Sequence, residues 1–188
     1  MADTVVAAAE RTLPHNLEAE RSVLGAILVH NDAFNLAVQV IEPRDFYRDA
    51  HRRIFDKMVQ LNERNQAIDF VTLKEELSRA GEIDEVGGPS YVASLADGVP
   101  RATNVEYYAR IVKEKSTLRA LISAAGKILT NAYEADQESD LILDEAESSI
   151  FGYVSCTRSR IETNPALRRS SATAKIALSA SSRMRSDS

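Results

Sequence analysis

The chain has 188 residues, 44% apolar and 27% charged, with a formal charge of −5. That balance suits one ordinary globular domain with a sizeable core, and no apolar run approaches the roughly 18 residues of a membrane span. The charge is uneven: Tyr153–Ser188 carries seven Lys/Arg against two Asp/Glu, leaving 16 against 26 in residues 1–152. An acidic body of net −10 argues against broad duplex DNA binding, which needs clustered basic residues to neutralise phosphates. The single cysteine, Cys156, cannot form an internal disulfide, and Met1-Ala2-Asp3-Thr4 has no basic n-region. Both point to a reducing, cytoplasmic setting with no membrane association.

Residues 1–12 read as a flexible lead-in. Pro14 and Asn16 then open a helix, with Asn16 as its cap and Glu18 and Glu20 near the positive end of its dipole. Leu17, Leu24, Ile27 and Leu28 form one apolar face. Gly25 lies inside that face, where glycine costs about 1 kcal/mol against alanine, so close helix packing is expected there. A short second helix places Phe34, Ala37, Val38 and Ile41 at i, i+3, i+4 and i+7, and Pro43 stops it.

A third helix is expected over about 49–63, with His51, Ile54, Phe55, Met58 and Leu61 on one stripe. Asn65 ends it, since asparagine tolerates the left-handed conformation. Asp69 caps a fourth helix with Phe70, Leu73 and Leu77 inward, and Gly81 closes it. Gly87-Gly88-Pro89 turns into a short helix that buries Val92 and Leu95, ended by Gly98 and Pro100.

From Asn104 a single helix runs to about Tyr133, on the order of 45 Å at 1.5 Å per residue. Tyr108, Ile111, Lys115, Leu118, Ile122, Ala125, Leu129 and Ala132 recur at spacings of three and four, a heptad seam with one charged intruder, Lys115. A polar turn leads to a helix over about 140–151, with Leu143, Ala146 and Ile150 on a matching seam. Two helices joined by a short loop pack antiparallel as a hairpin. Such a hairpin cannot bury a long seam on both faces by itself, so subunit association is the favoured reading, with an internal buttress as the alternative. Residues 152–188 are rich in Ser, Arg and Ala without periodicity, and read as disordered.

Little here carries chemistry. His15, His30 and His51 do not pair at metal-ligand spacing, and His51 reads as a core histidine. There is no Gly-x-x-x-x-Gly-Lys-Ser/Thr loop to cradle nucleotide phosphates, and the proline of Gly87-Gly88-Pro89 removes a donor such a loop would need. Asp84-Glu85 and Asp144-Glu145 lie in solvated acidic stretches. Arg44, Arg48, Arg52 and Arg53 read as a solvated helix face rather than a docking site for an acidic partner. No catalytic, cofactor-binding or metal residue is assigned.

The chain also resembles a family. Pro14-His15-Asn16-Leu17-Glu18-Ala19-Glu20 and Ser22-Val23-Leu24-Gly25-Ala26-Ile27-Leu28 resemble the opening of DnaB-type replicative helicases. Asp45-Phe46-Tyr47 with His51, Arg52, Ile54 and Phe55 resembles a second signature. Ile68-Asp69-Phe70-Val71-Thr72-Leu73, then Gly87-Gly88 with Tyr91, then Asn104, Tyr108, Ala109, Ile111, Val112 and Lys115 to Leu118 resemble the rest in order. The resemblance covers about 13–151 and implies an all-α N-terminal domain: a compact helical part at 13–100 and a helical hairpin at 104–151.

In that family the hairpins of neighbouring subunits pair, six copies form a ring, and the domain docks a DnaG-type primase. The resemblance therefore implies self-association, primase binding and contact with a helicase loader for this chain. Tyr108, Ile111, Lys115, Leu118, Ile122, Leu129, Leu143 and Ile150 would serve the interface, while Leu24, Gly25, Phe46, His51, Ile54, Phe55, Asp69, Thr72 and Leu73 are family structural positions. ATP, magnesium and single-stranded DNA belong to a separate RecA-like motor, so no ATPase activity or cofactor is expected here. Residues from Gly152 match nothing in the family layout, as a frameshifted or rearranged gene would produce. A primase-binding adaptor without enzymatic activity, and a non-functional truncated product, remain the alternative readings.

Overall fold

A computed structural model describes residues 12–97, 104–134 and 139–149. The lead-in at 1–11, the stop at Gly98 and Pro100, the hairpin turn, Ile150 and the tail from Phe151 lie outside the described residues. All regular structure among the described residues is helical. The chain divides into two units, with the boundary between Ile122 and Ser123.

The first unit contains α1 (Leu17–Val29), α2 (Asp32–Ala37), a 3-10 turn (Pro43–Asp45), α3 (Asp49–Glu63), α4 (Phe70–Arg79), α5 (Gly88–Ala96) and the opening turns of α6 (Val105–Glu134). The expected caps form. Asn16, in extended conformation, accepts the Ala19 N–H at 2.9 Å. Asp69 accepts the Val71 and Thr72 N–H groups at 2.8 and 2.9 Å, and Thr72 Oγ1 accepts the Asp69 N–H at 3.1 Å, a reciprocal capping box.

Two of the predicted stops, Asn65 and Gly81, use the left-handed region. Asn65 has φ 55°, and the Gln66 N–H reaches back to the Leu61 carbonyl at 3.0 Å. Gly81 has φ 73°, and the Glu82 N–H reaches the Leu77 carbonyl at 2.9 Å. Each satisfies a carbonyl that the helix end would leave orphaned.

The core gathers one stripe from each helix. α1 contributes Val23, Leu24 and Ile27; α3 contributes Ile54, Phe55, Met58 and Leu61; α4 contributes Leu73 and Leu77; α5 contributes Val92 and Leu95. α1 packs on α2, α3 and α5, while α4 packs on α3 and α5. Phe46 is buried against α3, its ring centroid 5.0 Å from that of Phe55. Val105, Ala109 and Val112 complete the core from α6.

Two sequence expectations need correction. The inner face of α1 is rotated: Leu17 is exposed and Leu28 only partly buried, while Ala19 and Glu20 take the inside. The reason is a buried partner for Glu20, described below. The α6 seam is not one surface. Tyr108 and Ile111 pack against the core, whereas Leu118 and Ile122 are exposed.

The second unit contains the end of α6 from Ser123 and a helix, α7, over residues 139–149. Asn131 Nδ2 donates to Glu145 Oε2 at 3.1 Å, which holds the two helices side by side. The sheltered positions are Ala124, Ile128 and Asn131 on α6 and Ile142, Ala146 and Ser149 on α7. The predicted residues Leu129 and Leu143 are instead 48% and 63% exposed. Leu121-Ala124-Ile128 and Ile122-Ala125-Leu129 run side by side one residue apart. Periodicity alone could not choose between two apolar stripes so closely spaced.

Candidate protein-interaction surface

Two buried polar networks hold the first unit in register. Glu20 is 1% exposed, an unusual position for a carboxylate, and three donors meet it. Its Oε1 accepts the Tyr47 N–H at 2.8 Å; its Oε2 meets the Arg48 N–H at 3.4 Å and His51 Nδ1 at 2.7 Å. His51 Nε2 lies 2.6 Å from the Tyr91 hydroxyl, to which Arg48 also donates at 2.9 Å. One chain of hydrogen bonds thus ties α1, the start of α3 and α5 together. Gly87 is part of this design, because a Cβ there would meet the Tyr91 side chain at 3.1 Å and its φ of 106° favours glycine.

The second network anchors α6. Asp45 is buried at the 3-10 turn, where its Oδ2 accepts the Glu42 N–H at 2.8 Å. Lys113 Nζ lies 3.0 Å from both carboxylate oxygens, and the Ser116 hydroxyl donates to Oδ1 at 2.8 Å. Arg119 donates to the Asp45 carbonyl and, at 2.9 Å, to the Pro14 carbonyl. Burial pulls the Arg119 guanidinium below the ordinary arginine value, while the charges of Glu20 and Asp45 pull it back. His15 stacks on Tyr47 with ring centroids 4.3 Å apart, and Arg119 lies 5.6 Å from that ring's centre. The residues leading into α1, the 3-10 turn and α6 are therefore fastened at one place.

These networks were not legible as such in the sequence. His51 is buried as expected, but from the sequence Glu20 reads as a dipole partner and Asp45 only as part of a family signature. The only available signal was an acidic residue falling among apolar ones. The family positions Leu24, Gly25, Phe46, Ile54, Phe55 and Leu73 are buried, and Asp69 with Thr72 forms a cap. Their placement is structural. Among the described residues no group of three or more His, Cys, Asp or Glu is arranged to hold a metal ion.

The arginine cluster is engaged within the chain. Arg44 pairs with Glu42 at 2.7 Å, Arg52 with Asp49 at 3.3 Å, and Arg53 with Asp49 and Glu85 at 2.8 and 2.9 Å. The Arg53 bond holds the Asp49 carboxyl below its usual value, but both groups are exposed and the pairs add little stability.

Large apolar residues remain exposed on α6 and α7. In the first unit Leu118, Leu121 and Ile122 project from α6 into solvent. In the second unit Leu129, Tyr133, Leu141 and Leu143 do the same. Lys115 is half-buried on α6. Exposed large apolar residues gathered on a helix mark association surfaces more often than catalytic ones. No helix among the described residues is long and apolar enough to cross a membrane.

The comparisons with known proteins agree with this reading of the fold. A family model, the DnaB-like helicase N-terminal domain, matches residues 12–114. The replicative DNA helicase DnaB of Geobacillus stearothermophilus is 46% identical over 141 residues, 75% of this chain and 31% of that protein. The replicative DNA helicase DnaC of Bacillus subtilis is 45% identical over the same shares of each. The crystal structure of the N-terminal domain of DnaB helicase from Mycobacterium tuberculosis superimposes with a TM-score of 0.70 at 36% identity. That match covers 75% of this chain and 99% of the other. A structure of a DnaB-like replicative helicase and its interactions with primase superimposes with a TM-score of 0.60 at 26% identity, covering 74% of this chain and 31% of the other. The chain spans about a third of the length of these curated helicases, 31% for both. It belongs to the DnaB-like helicase N-terminal domain family.

Proposed function

We propose that this chain serves DNA replication in the cytoplasm as the assembly and primase-docking domain of a replicative helicase. Family membership supports the setting, and the exposed apolar residues of α6 carry the assignment of the surface. Asp45 fastens α6 through Lys113 and Ser116, so Leu118, Leu121 and Ile122 are presented on an anchored helix. A rigid apolar face supplies a partner with contact area at little ordering cost.

On this reading the chain self-associates through Leu118, Ile122, Leu129 and Leu143, and a DnaG-type primase or a helicase loader contacts the resulting assembly. It takes no nucleotide or metal itself. ATP, magnesium and single-stranded DNA are handled by the RecA-like motor of the complete helicase. One solved relative is described by its interactions with primase, which supports the choice of partner.

Light scattering on the purified chain, with and without the cognate primase, tests this. Discrete dimers or larger assemblies that co-elute with primase are expected. Leu118→Asp combined with Ile122→Asp removes exposed groups only, so the fold survives and both associations are lost. A wild-type chain that stays monomeric and ignores primase overturns the proposal.

A further inference from the structure

We infer that Leu13-Pro14-His15 is a strap that holds α6 through Arg119, and that loosening the strap loosens the turn of α6 carrying Leu118, Leu121 and Ile122. Residues just ahead of a domain's first helix usually fray. Here Pro14, His15 and Asn16 are half-buried. The His15 ring closes the segment on itself, because Nδ1 donates to the Leu13 carbonyl at 2.7 Å. The same ring lies flat on Tyr47, with centroids 4.3 Å apart and planes 10° from parallel.

Arg119 joins this segment to α6. One guanidinium nitrogen donates to the Pro14 carbonyl at 2.9 Å and another donates to the Asp45 carbonyl. The Asn16 carbonyl accepts the first bond of α1, from the Glu20 N–H, so the Pro14 carbonyl lies outside the helix ladder and is free for the arginine. The guanidinium carbon also lies 5.6 Å from the centre of the Tyr47 ring on which His15 rests. A planar fork spans two carbonyls from different segments; a lysine ammonium has no such fixed geometry.

α6 depends on this tie. In the first unit its last buried residue is Val112, and every residue from Lys113 to Ile122 is half-buried or exposed. Lys113 and Ser116 reach the Asp45 side chain. Beyond Ser116, among the described residues of that unit, only Arg119 hydrogen-bonds from α6 to another segment. The turn bearing Leu118, Leu121 and Ile122 is therefore held by one guanidinium, whose acceptors are the strap and the 3-10 turn. Coupling of this kind is reciprocal: whatever stability the strap lends the turn, the turn lends the strap. It lies within the chain and does not depend on what the apolar face binds.

Amide hydrogen exchange of the full chain tests this. His15→Ala removes the ring stack and the bond to Leu13 but changes no group on α6. Exchange at residues 119–122 is expected to rise about fivefold, with α3 as in wild type. Arg119→Gln is expected to raise it about tenfold, and in return to raise exchange of the Ala19 and Glu20 amides, which bond to Asn16. The double variant should match Arg119→Gln, since both changes cut one linkage. Arg119→Lys, the milder change, should shift both regions in the same direction. A His15→Ala chain whose extra exchange is confined to the strap and α1 overturns the inference. So do a double variant in which the two effects multiply and an Arg119→Lys chain that shifts one region alone.

Discussion

Asp45 and Lys113 stand 68 residues apart in sequence, yet Lys113 Nζ lies 3.0 Å from each oxygen of the Asp45 carboxylate. Asp45 is buried and Lys113 half-buried, so the lysine can turn to water while the carboxylate cannot. Removing a partner from a buried pair leaves an uncompensated group and costs about 3 kcal/mol or more. Lys113→Ala is therefore expected to destabilise the chain by about 3 kcal/mol. Asp45→Asn, which keeps an acceptor for the Glu42 N–H, should cost less. Chemical denaturation measures both. Amide exchange over residues 105–119 should rise in both variants before it rises in α3.

Asn65 gives a backbone prediction. Its φ of 55° ends α3, and a Cβ-bearing residue without a short polar side chain is strained there. Asn65→Ala should cost about 1 kcal/mol. Asn65→Gly should leave stability unchanged or slightly raised, since glycine adopts this conformation freely. Equal melting temperatures for the two variants would contradict the assignment.

Much of this architecture was written in local pattern, and the reason is physical. Asn16, Asn65, Asp69 and Gly81 act on backbone groups within four residues, so their roles follow from short-range chemistry. The stripe His51, Ile54, Phe55, Met58 and Leu61 follows from helical period alone. The networks around Glu20 and Asp45 bridge segments 27 to 105 residues apart, and no local pattern announces them. The α6 stripe that faces α7 was hidden for a different reason. Two apolar stripes one residue apart satisfy the same spacing, and only the packing of Ala124, Ile128, Ile142 and Ala146 distinguishes them.

The α4 cap isolates a single local contribution. Asp69 satisfies two backbone donors that would otherwise be unpaired at the start of the helix. Asp69→Ala should destabilise by about 1 kcal/mol, and Asp69→Ser should recover most of that. Thr72→Ala, which removes the reciprocal bond to the Asp69 N–H, should produce a smaller loss. A thermal melt that does not move in Asp69→Ala would show that tertiary packing alone fixes the end of α4.

Glu76 links stability to pH. It accepts from Arg79 and, at 3.1 Å, from Arg64 at the end of α3. The Arg79 hydrogen bond is the main cause holding its carboxyl below the ordinary glutamate value of 4.5; burial opposes it and the Arg64 bond adds to it. In the unfolded chain that value is restored, so between the two values the unfolded state binds more protons than the folded one. The stabilisation is therefore fully present above about pH 4.5 and is lost as pH falls through the lower folded value. Glu76→Gln should be less stable than wild type at neutral pH, and the difference should shrink as acid protonates the wild-type carboxylate. High salt should also reduce it, because both arginines are largely exposed. Parallel denaturation curves from neutral pH into the acid range measure this. A constant gap between wild type and Glu76→Gln would mean that the glutamate acts through shape and not through charge.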